Sequence, residues 1–317
     1  MTKKVVLIFP GQGSQYVGMG KNLEGHSSYD LLQKANDVLG FDLSKIMLEG
    51  PEEDLTMTQN TQPAILTHSL GLFAKAKEIL DEKGIEISAV MGHSVGEYPA
   101  LVAAGALSFE DAVKAVNNRG KFMQEAVPAG MGKMYAVLRV PADIVEKACL
   151  ESSTEDNKVM PANFNEPGQI VISGHAEACD KAVEWIKENY TEPHKLVPLK
   201  VSAPFHSSLM LPARENMATF FGGINFNETK LPYIANIDAK KYDAGTSGEI
   251  VKENLIKQID GAVLWTQSFE QLDDDTICLE VGPGRVLMGL ARKINRNIKV
   301  ISLDKEGAFD DLKEALS

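Results

Sequence analysis

A chain of 317 residues, 44% of them hydrophobic, can bury a large core as one α/β domain with an insertion or as two domains, and is no short interaction module. Its formal net charge of −12 argues against a nucleic-acid partner, and an acidic protein partner would need a local basic patch. Cys149, Cys179 and Cys278 lie far apart, with no CxxC and no His at ligand spacing, so neither a metal site nor a disulfide framework is suggested. No run approaches the roughly 18 to 20 apolar residues of a membrane span. The short stretch Val5 to Phe9 behind Met1-Thr2-Lys3-Lys4 is too brief for a secretory signal. The expected setting is cytoplasmic, with no membrane partner.

In chain order, Val5 to Phe9 reads as a buried strand. Thr61-Gln62-Pro63 reads as a cap with an N1 proline, opening a helix that runs through Leu70 and Phe73 towards Leu80. Ile87 to Met91 is a second strand, followed by a helical, alanine-rich segment after Ser94. Ser108-Phe109-Glu110-Asp111 resembles a capping box, with Asp in place of Glu, and starts a helix that Pro128 stops. From Gly132 to Val201 the order changes to strand, helix, two strands, helix, strand, with strands at Lys133–Arg139, Val159–Asn163, Gln169–Ser173 and Lys195–Leu199. That βαββαβ order is ferredoxin-like. The α/β pattern then resumes, with strands at Tyr233–Ile237 and Thr276–Val281 and a helix at Arg285–Ile294. The expected architecture is therefore a large α/β-hydrolase-like subdomain with a parallel sheet, residues 1–131 and 201–317, carrying a small ferredoxin-like subdomain, residues 132–200.

Gly92-His93-Ser94-Val95-Gly96 fits G-x-S-x-G. The pentapeptide alone is weakly specific. Its place between an expected strand and an expected helix puts Ser94 on a tight turn as a candidate nucleophile, with the Val95 N–H facing a developing oxyanion. A serine nucleophile needs a base. His26, His68, His175 and His194 sit in ordinary helix, loop or turn contexts, whereas His206, in Ala203-Pro204-Phe205-His206-Ser207, lies on a proline-stiffened loop after a strand.

Arg119 falls on one helical face with Ala112, Val116, Met123 and Ala126, all apolar. A buried, unpaired charge costs about 3–5 kcal/mol. Two readings stay open: an internal salt bridge or snorkelling at the stripe's edge, and a bidentate clamp on a substrate carboxylate. The loop Pro10-Gly11-Gln12-Gly13-Ser14-Gln15 fails as a dinucleotide fingerprint, because Tyr16 stands where Gly is needed and no strand-ending acid follows about twenty residues on. It fits better as the source of a second oxyanion donor, the Gln12 N–H.

Together these motifs resemble the malonyl-CoA:ACP transacylases and the acyltransferase domains of fatty-acid and polyketide synthases. The matching segments are Phe9 to Gln15, Thr61-Gln62-Pro63-Ala64, Gly92 to Tyr98, Arg119 to Gln124, Asn163 to Gln169, Pro204 to Met210 and Glu280 to Gly284, in order over nearly the whole chain. The resemblance implies a malonyl-Ser94 intermediate, His206 as base, and an oxygen at Gln258 that orients the imidazole in place of a carboxylate. It further implies an oxyanion hole from Gln12 and Val95, Arg119 on the malonyl carboxylate, and Met123, Phe205, Asn163 and His93 around the acyl group, with Phe205 crowding a 2-methyl branch. Malonyl-CoA and holo acyl-carrier protein are then the expected partners, with no resident cofactor or metal and a discrete, monomeric enzyme feeding fatty-acid elongation. Lys195 and Lys200 are candidates to receive an acidic carrier helix, or simply solvated lysines. A serine hydrolase would share the Ser94 motif but would need an acid behind His206. A non-enzymatic carrier-binding protein would carry a broken dyad.

Overall fold

The computed structural model describes residues 4–316; Met1, Thr2, Lys3 and Ser317, which enter the signal-segment reading and the expected span of the large subdomain, lie outside the described residues. Among the described residues, ten strands follow in chain order: β1 Val5–Phe9, β2 Ile87–Gly92, β3 Gly132–Leu138, β4 Val159–Glu166, β5 Gln169–His175, β6 Lys195–Pro198, β7 Tyr233–Ile234, β8 Lys241–Tyr242, β9 Ile277–Glu280 and β10 Lys299–Ser302. Six form one sheet in the order β10-β9-β1-β2-β7-β8, parallel except at the β8 edge. Helices cover both faces, which is why β1, buried at every residue, reads as an unbroken apolar run instead of an alternating one.

The other four strands make an antiparallel sheet in the order β4-β5-β3-β6, as a ferredoxin-like βαββαβ unit requires. Its two faces follow the period of two along each strand. Val137, Ile170 and Ile172 pack with the helices Ala142–Ser152 and Ala176–Asn189 in a separate small core. Met134, Ala136, Asn163, Asn165 and Val171 face the opposite way and roof a cavity above the parallel sheet.

The helix expected to begin at Thr61 spans Thr58–Glu82 and carries Pro63 inside it. A proline there leaves the carbonyl four residues back without its N–H partner. That carbonyl, of Gln59, instead accepts from Asn117 Nδ2 at 2.8 Å. Asn117 lies on the crossing helix Phe109–Glu125, capped by Ser108 as expected, its Oγ accepting from Asp111 N. The two helices touch closely: a Cβ on Gly120 would come within 2.7 Å of Gln59 Cα and the Thr58 carbonyl.

Strand β7 keeps two of the five residues expected of it, and β8, β10 and the helices Asp30–Leu39, Leu211–Phe220 and Gly248–Gln258 were not anticipated. All three cysteines are free and buried. Among the described residues no helix is long and apolar enough to cross a membrane.

Candidate active site

The turn after β2 is built by two close approaches. A Cβ on Gly92 would sit 1.9 Å from the Gly96 carbonyl, and one on Gly96 would sit 2.2 Å from the Phe9 carbonyl, so both positions must lack a side chain. The turn folds over the end of β1, with His93 N donating to Phe9 O at 2.9 Å. It forces Ser94 to φ 53°, a left-handed conformation uncommon outside glycine that costs of order 1–3 kcal/mol and needs surrounding structure to hold it. Asn236, just past β7, supplies that hold: its Oδ1 accepts from Ser94 N at 2.7 Å and its Nδ2 donates to Gly92 O at 2.6 Å.

Ser94 Oγ lies 2.8 Å from His206 Nε2. His206, itself at φ 55° and buried, has Nδ1 at 2.9 Å from the Gln258 carbonyl and 3.0 Å from the Gly261 carbonyl. Two carbonyls can only accept, so they fix the proton on Nδ1 and leave the Nε2 lone pair facing the serine hydroxyl. Burial first, and the Arg119 guanidinium second, hold the His206 pKa down at about 3, so the imidazole is neutral at physiological pH.

Arg119 is buried in the apolar stripe that placed it. Its Nη1 donates to Gln62 Oε1, and its Nη2 to both Ser94 Oγ and Gln258 Oε1, each at 3.0 Å. The internal salt bridge left open by the sequence is not formed: all three acceptors are neutral oxygens. Tyr98 faces the guanidinium, its ring centre 5.8 Å from Cζ, while Arg119 Nε and the Tyr98 hydroxyl close no hydrogen bond. The charge of Arg119 is thus held beside the nucleophile without an ion-pair partner among the described residues.

Gln258 orients His206 through its backbone carbonyl, and its side chain has other work. Besides accepting from Arg119, its Nε2 donates to Ser94 O at 2.9 Å and to Glu97 Oε2 at 2.6 Å. Glu97 is buried, and burial pushes its carboxyl up to about 7.

Ser94, His206 and Arg119 open onto a cavity of about 690 Å³ between the two sheets, whose walls include Gln12, His93, Met123, Asn163, Phe205 and Lys200. His93 is held by Asn165, Nε2 to Oδ1 at 2.7 Å, and leans on Trp265. The side chain of Val95 is buried in the core, so only its backbone can serve the site. Lys195, paired with Leu138 at the outer edge of the small sheet, is absent from the cavity wall. Gln62, Glu97 and Asn165 lie inside motifs quoted above without an assigned part. Asn236 and Gly261 carried no signal at all. A second, shallow depression of about 590 Å³ lies on the small subdomain and is rimmed mostly by carboxylates, those of Glu177, Asp180, Glu184 and Glu188.

The model of the acyl transferase domain family matches residues 6–288. The chain is 43% identical over 319 residues to the malonyl CoA-acyl carrier protein transacylase of Bacillus subtilis, covering 98% of each, and 41% identical over 314 residues to that of Staphylococcus aureus, covering 98% and 97%. Among solved structures it is similar to an acyl carrier protein S-malonyltransferase from Vibrio cholerae, with TM-score 0.90, 37% identity, and 98% and 99% of the two chains covered. It is also similar to a malonyl-transacylase in complex with its type II PKS acyl-carrier protein, with TM-score 0.90, 36% identity and the same coverage.

Proposed function

The chain belongs to the acyl transferase domain family, and from that premise we propose that it carries malonyl groups from malonyl-CoA to the phosphopantetheine thiol of acyl-carrier protein, for fatty-acid elongation. The observation that carries the acyl class is Arg119: a buried cation, 3.0 Å from Ser94 Oγ, whose hydrogen bonds go only to neutral oxygens. A malonyl carboxylate entering the cavity supplies the missing anion, and a planar guanidinium suits it.

His206 Nε2 takes the Ser94 proton as Oγ attacks the thioester carbonyl. The oxyanion is received by the N–H groups of Gln12 and Val95. The intermediate collapses, coenzyme A leaves with the proton from His206, and malonyl-Ser94 remains. The carrier's thiol then attacks the ester, its proton passing to His206 and on to Ser94 Oγ as malonyl-carrier departs. Carbonyl oxygens behind His206 fix its tautomer without the anion that a triad would provide. The weak base suits exchange between thioesters of similar energy better than amide cleavage.

In this reading Met123 and Phe205 shape the acyl pocket, Phe205 crowding a 2-methyl branch, with Asn163 at the mouth and His93 among the substrate-binding residues. Residues 1–131 with 201–317 serve as the catalytic subdomain, residues 132–200 as its roof, and the working unit is a monomer in the cytoplasm.

Intact-protein mass after a brief mix with malonyl-CoA tests the reading. A malonyl adduct on the wild type, absent from Ser94→Ala and discharged by holo acyl-carrier protein, is expected. Steady release of coenzyme A with no adduct and no carrier requirement would mean a hydrolase.

A further inference from the structure

Strands β2, β1, β9 and β10 lie side by side and run parallel, so the loops leaving their carboxyl ends stand in a row. From β2 outwards these are the Ser94 turn, residues 10–16, Gly282-Pro283-Gly284, and Asp304, two residues past β10. Neighbours in the row touch at backbone distance. A Cβ on Gly11 would lie 2.6 Å from the His93 carbonyl, and one on Gly282 would lie 2.5 Å from Pro10 Cδ. Gly284 N donates to Asp304 Oδ2 at 2.8 Å.

The Asp304 side chain, 6% exposed, gathers donors from four separate segments. Besides Gly284 N, it accepts from the Tyr16 hydroxyl at 3.2 Å on Oδ1 and 3.0 Å on Oδ2, from Asn22 Nδ2 at 3.0 Å, and from buried His68 Nε2 at 2.7 Å. Burial opposes its ionisation, but the bonds from His68, Gly284 and Tyr16 outweigh it and hold the carboxyl below its usual range. The loop of residues 10–16 needs such an anchor, because Gln12 and Gly13 are exposed and Gly13 takes φ 99°. Within the loop, Ser14 Oγ donates to the Gly11 carbonyl at 2.8 Å, and Gly13 N to Gln15 Oε1 at 2.7 Å. The Gln12 N–H is left without an acceptor among the described residues. The far end of the loop is tied across the row by the Tyr16 hydroxyl, to a carboxylate 288 positions away.

We propose that Asp304 is a positioning residue for the oxyanion hole, acting through the Tyr16 hydroxyl and the Gly284 N–H to keep the Gln12 N–H aimed at the carbonyl that Ser94 attacks. This role rests on the transacylase reading and adds what holds one of its two oxyanion donors in place. Losing such a donor outright costs about 10²–10³ in rate, so letting one drift costs a part of that.

Tyr16→Phe removes one hydroxyl from a 42% exposed ring and tests the link without endangering the fold. Asp304→Asn tests the anchor itself. Maximal rates of Ser94 acylation, and half-saturating concentrations, are measured with malonyl-CoA, acetyl-CoA and p-nitrophenyl acetate, the last needing neither coenzyme A nor a carboxylate. Tyr16→Phe should lower all three maximal rates about fivefold and Asp304→Asn about tenfold or more, with half-saturation unchanged. The double variant should be no slower than Asp304→Asn, because Tyr16 acts through Asp304. Unchanged maximal rates overturn the proposal, even where urea unfolding shows lost stability. So does a loss confined to malonyl-CoA, a rise in half-saturation alone, or losses that multiply in the double variant. A wild type acylated by p-nitrophenyl acetate but not by malonyl-CoA would end the transacylase reading instead, and the ester would still decide the role of Asp304.

Discussion

Arg119 and Glu97, both buried beside the Ser94 turn, are linked through the Gln258 amide, which accepts from Arg119 Nη2 at 3.0 Å and donates to Glu97 Oε2 at 2.6 Å. A glutamine between them passes polarisation without neutralising the guanidinium. The cation therefore stays available to the cavity, and Glu97 is left in a site that favours its protonated form.

Removing that cation should separate substrates. A charge-assisted contact contributes roughly 1.5–3 kcal/mol, so Arg119→Ala should slow malonyl loading by about 10–10²-fold while sparing acetyl loading. Parallel adduct time courses with the two coenzyme A esters check this, and equal losses would make Arg119 structural.

His206→Ala should remain folded and load malonyl about 10²–10⁴-fold more slowly. Because the wild-type imidazole is held near 3, its neutral form prevails far into the acid range. Single-turnover acylation should therefore hold its rate from pH 8 down to about pH 5. A half-loss near 6.5, the ordinary histidine value, would contradict the environment described for it.

Glu97 gives a stability signature of the opposite sign to a salt-bridged acid. Its folded-state pKa, about 7, lies above the ordinary 4.5, so the folded protein holds a proton that the unfolded chain has released. That stabilisation is complete below pH 4.5 and is lost as pH rises through about 7. Glu97→Gln, which keeps a neutral side chain of the same shape, should flatten the fall in Tm between pH 5 and 8 relative to wild type. Identical Tm profiles would show that Glu97 is not protonated in the fold.

Asn236→Ala removes the two side-chain hydrogen bonds that pin the turn on either side of Ser94. Leaving the buried Gly92 carbonyl without a partner should cost about 1–3 kcal/mol in urea unfolding. Adduct formation should slow about tenfold as the nucleophile loses its fixed orientation. Unaltered loading with lowered stability would limit Asn236 to a structural part.

Features set by local sequence were legible. The Gly92–Gly96 turn declares itself because close backbone approach tolerates only glycine, and Arg119 because an apolar stripe with one cation in it is a period-of-3.6 signal. The small sheet was legible from its element order. What escaped depended on partners remote in sequence. The start of the helix at Thr58 was misjudged because the proline rule is local, whereas the group that relieves Pro63 is Asn117 on another helix. Asn236 reaches Ser94 across 142 positions and lies past a strand of two residues, too short to carry a pattern. The amide of Gln258 points at Arg119 and Glu97 while its carbonyl serves His206, a division that no spacing in the chain encodes.

The buried cysteines bear on how cleanly such a protein handles activated thioesters. Thiolates compete with hydroxyls for acyl groups, and they do so only when ionised and reachable. Burial pushes the Cys149 thiol far up and those of Cys179 and Cys278 to about 12, and each sits inside packed core. Adventitious acylation of sulfur is thereby suppressed, and the stoichiometry of label from malonyl-CoA should be one acyl group per chain, held as an oxygen ester with no thioester on the protein's own cysteines.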